Sequence, residues 1–462
     1  MSARDSFFSL EDAMRFLPRE EVSIYNRVTK ERTYVPMDPY FPAGGVYLPE
    51  EQLQHTLGFV WPLKFCSQRV IVGQKNAVTY TIGGYCATGD HDLDHRGFGH
   101  VLFAGDPGTG KSLYGGVLSR LVDGLTYGRF QGMPDNVPGD YFGERYLKTV
   151  REKVSPEILK VVSEVGISNE TLGKALEVLT HSLYGANTHR DFVLERGPVY
   201  SLFQHIDEIN RNPAKTLAAL LEVMSEGQVT RFDETEKVNA FIFATMNDRE
   251  SEGRTVSEIG RALWDRFMFV VKSTAFISGE YKEIVRRAKY FSDIELPIVG
   301  GLERAEAART YFHHSITESE QMEDLADAFV MRINAPWAYP AIRTILENDP
   351  KTHLLATKVL VGRNREDYLR ASLKGRGALH LKGARQIMAM YNFRSMTTPS
   401  DLLKVSPYVC AHRMEFEDAV LRGYSVAYGI RRHEVYKRDL SNAITNAAFI
   451  DAHEHIVMRN GR

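Results

Sequence analysis

Three cysteines are all that the 462 residues carry. Cys66, Cys86 and Cys410 stand far apart, with no C-x-x-C pair and no ligand spacing. Neither a disulfide framework nor a zinc module is in prospect, and reduced structural thiols are expected. An excess of one charge is also missing: 57 Lys+Arg face 59 Asp+Glu, for a formal net charge of −2. That balance gives no bulk attraction to a polyanion, so a nucleic-acid partner is not expected from it. No apolar run approaches the length needed to span a bilayer, and the opening MSARDSFFSLEDAMRF lacks the apolar centre of a secretory signal. A soluble, cytoplasmic chain is the expectation. The remaining composition is ordinary for a folded protein, at 43% hydrophobic and 25% charged. The length suits a few structural units, at least one of them with a large core.

Against that background one stretch stands out. Val101-Leu-Phe-Ala104 has the short apolar character of a buried parallel strand, and it breaks into Gly105-Asp-Pro-Gly-Thr-Gly110-Lys111-Ser112. This fits G-x-x-x-x-G-K-[ST] in full. Glycines at 105, 108 and 110 let successive backbone N–H groups turn toward a pyrophosphate, and a helix starting near Lys111 adds its positive end. Lys111 can reach the β/γ-phosphates and the Ser112 hydroxyl can ligate Mg²⁺. A nucleotide site is predicted here.

A second strand, expected over Val199–Ile206, runs into Asp207-Glu208. Carboxylates at the carboxyl end of a parallel strand lie in the crevice where such sheets bind ligands. Asp207 is suited to holding Mg²⁺ through water, and Glu208 to polarising an attacking water. Gln204 and His205, unusual so deep in a strand, are read as hydrogen-bonded structural residues.

Along the rest of the chain, residues 1–64 read as an extension with a short helix from Ser9 to Leu17 and a Pro/Gly-rich loop over 35–49. Residues 65–275 read as an α/β core in which strands and helices alternate, implying a parallel sheet covered on both faces. Within it, Gly89–Gly99, with His91 and His95, reads as a solvated loop. Residues 144–188 are expected to be a helical insert, with starts at Ser155 and Ser168. Arg129–Gln131 and Phe241–Thr245 are predicted strands. From 276 to 413 the pattern is helix after helix, clearest over 282–291, 303–314, 318–333 and 377–391: an all-helical lid. The tail, 414–462, is ambiguous between helix and strand, and His453-Glu-His455 in it is assigned to the surface.

Several segments together resemble the MoxR family of AAA+ ATPases. They are IVGQ (71–74), GDPGTGKS (105–112), RFQGMPDNVPGDYFG (129–143), FVLERGPVY (192–200), DEINRNPAKTLAALLEVMSEGQVT (207–230), ATMN (244–247), WDRF (264–267) and, more loosely, the region around Arg376 and TTPSDL (397–402). The resemblance implies an AAA+ P-loop core with a helical lid, and a ring, usually a hexamer, with ATP and Mg²⁺ between neighbouring copies. It implies that Ile71, Val72, Gly73 and Gln74 border the adenine. Gly105, Asp106, Pro107, Gly108, Thr109, Gly110, Lys111, Ser112 and Leu113 should enclose the phosphates, with Ser112 and Asp207 serving the metal. Glu208 should activate water and Asn247 orient it. Arg266 resembles the arginine finger that enters the neighbour's site, with Arg261 a competing candidate. Arg376 falls where the family keeps a lid arginine that touches the γ-phosphate of its own subunit.

The function that the resemblance implies is chaperone-like remodelling, activation or metal-cofactor maturation of a client protein complex, often with a partner carrying a von Willebrand A domain. The departing insert is the expected client-determining element. Two other classes stay open: a nucleic-acid-dependent motor or restriction-type NTPase subunit, since DEINR occurs in such relatives, and a nucleotide-gated scaffold that binds ATP without hydrolysing it.

Overall fold

The computed structural model describes residues 21–25, 32–36, 56–88, 99–150, 189–231, 234–247, 259–273, 278–288, 296–348, 369–371, 373–392, 394–416 and 430–460. They fall into two compact units: Val137–Tyr200, and the rest of the chain on either side of it. The Ser9–Leu17 helix, most of the 35–49 loop, the 89–98 loop and the helices expected from Ser155 and Ser168 lie outside the described residues.

β1 (Glu21–Tyr25) and β2 (Arg32–Pro36) pair antiparallel. α1 (Trp61–Val70) and α2 (Lys75–Ala87) lead into β3 (Val101–Ala104), α3 (Lys111–Leu121) and β4 (Tyr127–Gln131). The smaller unit contributes α4 (Pro138–Phe142), β5 (Gly143–Val150) and β6 (His189–Arg196). The larger unit resumes with β7 (Phe203–Asp207), α5 (Ala214–Glu226) and the antiparallel β8 (Gln228–Arg231) and β9 (Glu234–Lys237). β10 (Phe241–Met246), α6 (Arg261–Trp264) and β11 (Phe269–Lys272) complete the α/β part.

Five strands form one sheet in the order β11–β3–β10–β7–β4, and every neighbouring pair is parallel. Uninterrupted burial of β3, β7 and β10 explains why these strands read as continuous apolar runs rather than alternating ones. On one face Phe103 and Phe243 pack against Tyr114 of α3, while Phe269 packs against Tyr80 of α2. Leu102, Ile206 and Ile242, alternating with them, are fully buried on the other face. α2 lies close against the sheet, because a Cβ at Gly84 would stand 2.9 Å from the Val101 side chain and 3.1 Å from the Phe241 ring. Parallel strands connected by helices bring their carboxyl ends to one edge, and that edge carries the site.

The helical part comprises α7 (Ser278–Ala288), α8 (Leu302–Ser315), α9 (Glu320–Asn334), α10 (Pro340–Asn348), α11 (Gly375–Tyr391), α12 (Pro399–Cys410) and α13 (Ile430–Asn460), with β12 (Leu369–Ala371) and β13 (Met414–Phe416) as a short antiparallel pair. It seats on α2: Tyr408 packs on Tyr80 with ring centroids 4.3 Å apart, and the Tyr391 hydroxyl donates to the Thr79 carbonyl. α12 starts from Thr398, whose backbone N–H is accepted by Asp401, with Pro399 in the first helical position. Arg385 grips Glu318 through two bonds of 2.9 and 2.8 Å, both side chains almost wholly buried. Arg385→Met strands the Glu318 charge in the interior. A loss of about 3–5 kcal/mol in unfolding free energy is expected, measured by urea denaturation, and a loss below about 1 kcal/mol would contradict the pairing's importance.

Several expectations are corrected. The strand before Asp207 begins at Phe203, because Pro198–Tyr200 forms a 3-10 turn instead. Residues 144–150 are strand rather than helix: β5 pairs with β6 over eight positions, from Gly143↔Arg196 to Val150↔His189. That long-range partnership outweighs the local helical character. The ambiguous tail is chiefly helix, α13, joined to α9 by the Arg332–Asp451 ion pair. His453 is buried beside Phe449 rather than at the surface, while His455 is exposed. Ahead of residue 65, Phe59, Val60 and Leu63 belong to the hydrophobic core. Among the described residues no helix is long and apolar enough to cross a membrane.

Candidate active site

The phosphate loop hangs between β3 and α3. Gly105, Gly108 and Gly110 all have positive φ, at +148°, +80° and +80°. Gly105 also lies where a Cβ would collide with Ser273 Oγ at 1.8 Å, so no other residue fits there. The loop is tied to the sheet by Gly105 N–H donating to the Met246 carbonyl. Lys111 is buried with its Nζ inside the loop, donating to the carbonyls of Gly105 (2.8 Å) and Asp106 (2.6 Å). The ammonium is therefore placed at the centre of a ring of backbone groups, at the amino end of α3.

At the next-but-one strand end, Asp207 accepts from Ser112 Oγ at 3.1 Å, Thr245 Oγ1 at 2.5 Å and Arg129 at 2.6 Å. Burial alone would raise its pKa. Donation from Thr245, with Arg129 and Ser112 behind it, more than offsets that and keeps the carboxyl below its usual range. His205, fully buried, lies with Nε2 3.8 Å from Asp207 and Nδ1 2.7 Å from the Tyr127 hydroxyl. Burial pushes this imidazole down to about 4, despite the carboxylate beside it, so it is neutral at physiological pH. Gln204 is also fully buried and donates to the Ser201 carbonyl. Both are the structural residues expected from the sequence.

Glu208 is held from three sides. Asn247 Nδ2 donates to one carboxylate oxygen at 2.9 Å, Gln131 Nε2 to the other at 3.0 Å, and Arg211 pairs with it at 3.1 Å. Thr245 couples the two carboxylates, since its hydroxyl donates to Asp207 and accepts from Glu208 N–H. Glu208 sits in the left-handed region, φ 52° and ψ 49°. Gln74 (φ 49°) is the other non-glycine residue with positive φ among the described residues. Such conformations cost roughly 1–3 kcal/mol each and gather at functional sites. Gln74 is buried, and its carbonyl accepts from the Tyr114 hydroxyl, which places Ile71–Gln74 beside the phosphate-loop helix.

The arrangement can bind a triphosphate and orient a water against it. A hydroxyl and one carboxylate converge at Ser112 and Asp207, a donor set that suits Mg²⁺, an ion that keeps much of its water and takes phosphate oxygens as ligands. Lys111, Ser112, Asp207, Glu208 and Asn247 are thus brought together. Arg266 and Arg376 are not among them. Arg266 donates to the Leu221 carbonyl, Ser225 Oγ and the Ala262 carbonyl, which ties it to the later turns of α5. Arg376, in the first turn of α11, draws no hydrogen bond or ion pair from any described residue. Its charge lies close enough to Arg266 that it joins burial in depressing the Arg266 pKa. Arg129, Gln131, Arg211 and Thr245 were not among the residues expected at the site. Residues 129 and 131 share a strand face by parity, but which strand they face is fixed only by the pairing of Gln131 with Asp207.

A five-stranded parallel sheet with a phosphate loop after one strand, an Asp-Glu pair at the end of another and an asparagine after the strand between is the core of an AAA+ P-loop fold. Residues 174–269 match the family described as "ATPase family associated with various cellular activities (AAA)". The matched stretch holds Asp207, Glu208, Asn247 and Arg266, and the phosphate loop precedes it. The chain is similar to "Chaperone MoxR1" of Mycobacterium tuberculosis, 27% identical over 75% of this chain and 73% of that protein. It is also similar to "Protein MoxR" of Paracoccus denitrificans, 25% identical over 68% and 79%. A solved structure from Cytophaga hutchinsonii, described as a candidate ATPase, shares the fold with a TM-score of 0.59 and 23% identity, covering 85% of this chain and 96% of that one. The chain is thus similar to AAA+ ATPases of the MoxR family.

Proposed function

We propose that the chain hydrolyses Mg-ATP at a seam between copies of itself and uses the cycle to remodel or activate a client protein complex. The observation that carries the reading is the Glu208 carboxylate, fixed by Asn247, Gln131 and Arg211 and coupled through Thr245 to Asp207 and Ser112. Ile71, Val72, Gly73 and Gln74 flank the base. Backbone N–H groups from Gly105 to Leu113 receive the phosphates, helped by the Lys111 ammonium. Ser112 and Asp207 would hold Mg²⁺, which neutralises phosphate charge in the transition state. Glu208 takes the proton from the attacking water, and Asn247 keeps the carboxylate and the water aligned.

Among the described residues, the guanidinium groups of the network, Arg129 and Arg211, are paired with Asp207 and Glu208. Arg266 and Arg376 lie outside that hydrogen-bonded network, two guanidinium groups in one another's field. Like charges at close range are unfavourable until a polyanion arrives. Both arginines therefore suit the triphosphate held by a neighbouring copy, with Arg376 serving beside Arg266 instead of its own subunit's nucleotide. A ring, a hexamer by family habit, would bring each arginine pair to such a triphosphate.

The remodelling role rests on likeness to one protein named as a chaperone, and the von Willebrand A partner on family resemblance alone. The insert at 144–188 is the client-selecting element in this reading. Turnover should require Mg²⁺ and vanish on chelation. Deleting 146–186 should leave ATPase activity within about twofold while abolishing client activation. Joint loss of both would contradict that division of labour. A nucleic-acid motor remains the second class, and ATPase stimulation by DNA that falls steeply with salt would favour it.

A further inference from the structure

Arg413 belongs to neither the phosphate loop nor the carboxylate network, yet it is one of the most heavily bonded side chains in the molecule. It is buried, at the junction between α12 and β13. Its Nε donates to Asp265 Oδ1 at 3.0 Å, and one terminal nitrogen donates to the main-chain carbonyls of Asp265 (3.0 Å) and Phe267 (3.2 Å). Those two carbonyls flank Arg266 in the sequence. The same nitrogen lies 2.9 Å from His380 Nδ1 on α11, and the other terminal nitrogen lies 2.7 Å from His412 Nε2 and donates to the Val409 carbonyl. Gly377 of α11 packs so tightly on this guanidinium that a Cβ there would stand 3.2 Å from Nε. Arg376 is the preceding residue.

We infer that Arg413 is a positioning residue for ATP hydrolysis: it clamps the backbone on both sides of Arg266 and fastens the start of α11 to it, so that Arg266 and Arg376 are presented as one rigid unit. A planar five-donor fork can bond two carbonyls, a carboxylate and an imidazole at once, which an ammonium cannot. The clamp has little to do within its own chain's nucleotide site, because none of its partners belongs to the phosphate-loop network. Its effect is felt at the neighbour's phosphates, where loss of alignment of about 1 Å can cost on the order of 10²-fold in rate. This inference rests on the shared-seam reading above.

The test uses full-length protein. Arg413→Lys keeps the charge and most of the volume but cannot bridge residues 265 and 267. Turnover is expected to fall by about 10- to 100-fold, with ATP affinity, read by fluorescent-nucleotide titration, within twofold of wild type. Arg413→Lys subunits are then mixed with Glu208→Gln subunits, each preparation nearly inactive alone. Activity should reappear, because seams then form between an intact Glu208 and an intact Arg413 clamp. Arg266→Ala mixed with Glu208→Gln is the reference. If the reference mixture recovers activity and the Arg413→Lys mixture does not, the clamp inference is overturned while the seam stands. If neither recovers, the seam itself is wrong. Unchanged turnover in Arg413→Lys also overturns the inference. Should Arg413→Lys fail to assemble, Asp265→Asn takes its place, with an expected drop of about three- to tenfold and the same complementation, and unchanged turnover there is equally fatal.

Discussion

Arg266→Ala is expected to reduce ATP turnover by a factor on the order of 10³ or more, with nucleotide affinity nearly intact. In phosphoryl transfer the protein does little covalent chemistry, and its contribution is position and positive charge around spreading negative charge. Lys111 supplies one cation from within the loop. The other side of the γ-phosphate needs its own cation, and Arg266 is the residue whose backbone is clamped and whose guanidinium is braced on α5 by Leu221 and Ser225. If, as proposed, it serves the neighbour's triphosphate and not its own, removing it should leave ATP binding alone and slow the chemical step. Steady-state turnover together with nucleotide titration checks this. A variant with weakened binding and unchanged kcat would place Arg266 in the wrong role. Arg261, in the first turn of α6, is the control: its loss should be mild if Arg266 is the finger.

Glu208→Gln should lower turnover by about 10²–10⁴-fold. The substitution preserves shape, but its amide cannot accept a proton from water. It also places an N–H₂ group among three donors, Asn247, Gln131 and Arg211, so one of those contacts becomes donor facing donor. ATP binding should survive, since Lys111, Ser112 and the loop are untouched, and the variant should hold ATP in an uncleaved state. Single-turnover hydrolysis and retention of bound ATP measure the two halves. A variant that turned over within threefold of wild type would favour the nucleotide-gated scaffold over the enzyme.

How far these arguments could be made from the sequence depends on how local the interaction is. The phosphate loop was legible because its glycines, Lys111 and Ser112 are adjacent in the chain and follow a buried strand. Asp207 and Glu208 were legible because an apolar run ends on them. Gln131 and Thr245 were not, although Gln131 bonds Glu208 and Thr245 bonds Asp207 and the Glu208 backbone. Their roles come from strand order, with β4 and β10 on either side of β7, and no window of sequence contains that order. β5 was misread for the same reason: its partner β6 is far along the chain, and pairing rather than local propensity makes it a strand. His453 looked like a surface residue because His-Glu-His gives no helical face by itself. Only the packing of α13 shows it buried against Phe449. Arg376 lies in the first turn of α11, and only the packing shows that its charge acts on Arg266. Arg413 carried no motif at all, and the bonds that single it out join residues far apart in the chain.

All of this depends on a catalytic centre that no isolated copy can complete. Turnover per subunit, followed by dilution alongside particle mass in saturating Mg-ATP, puts that dependence to the test. The account predicts that activity per subunit collapses as the assembly falls to single copies, and that it returns when the protein is concentrated again. Single copies cleaving ATP at the rate of the assembled protein would contradict it.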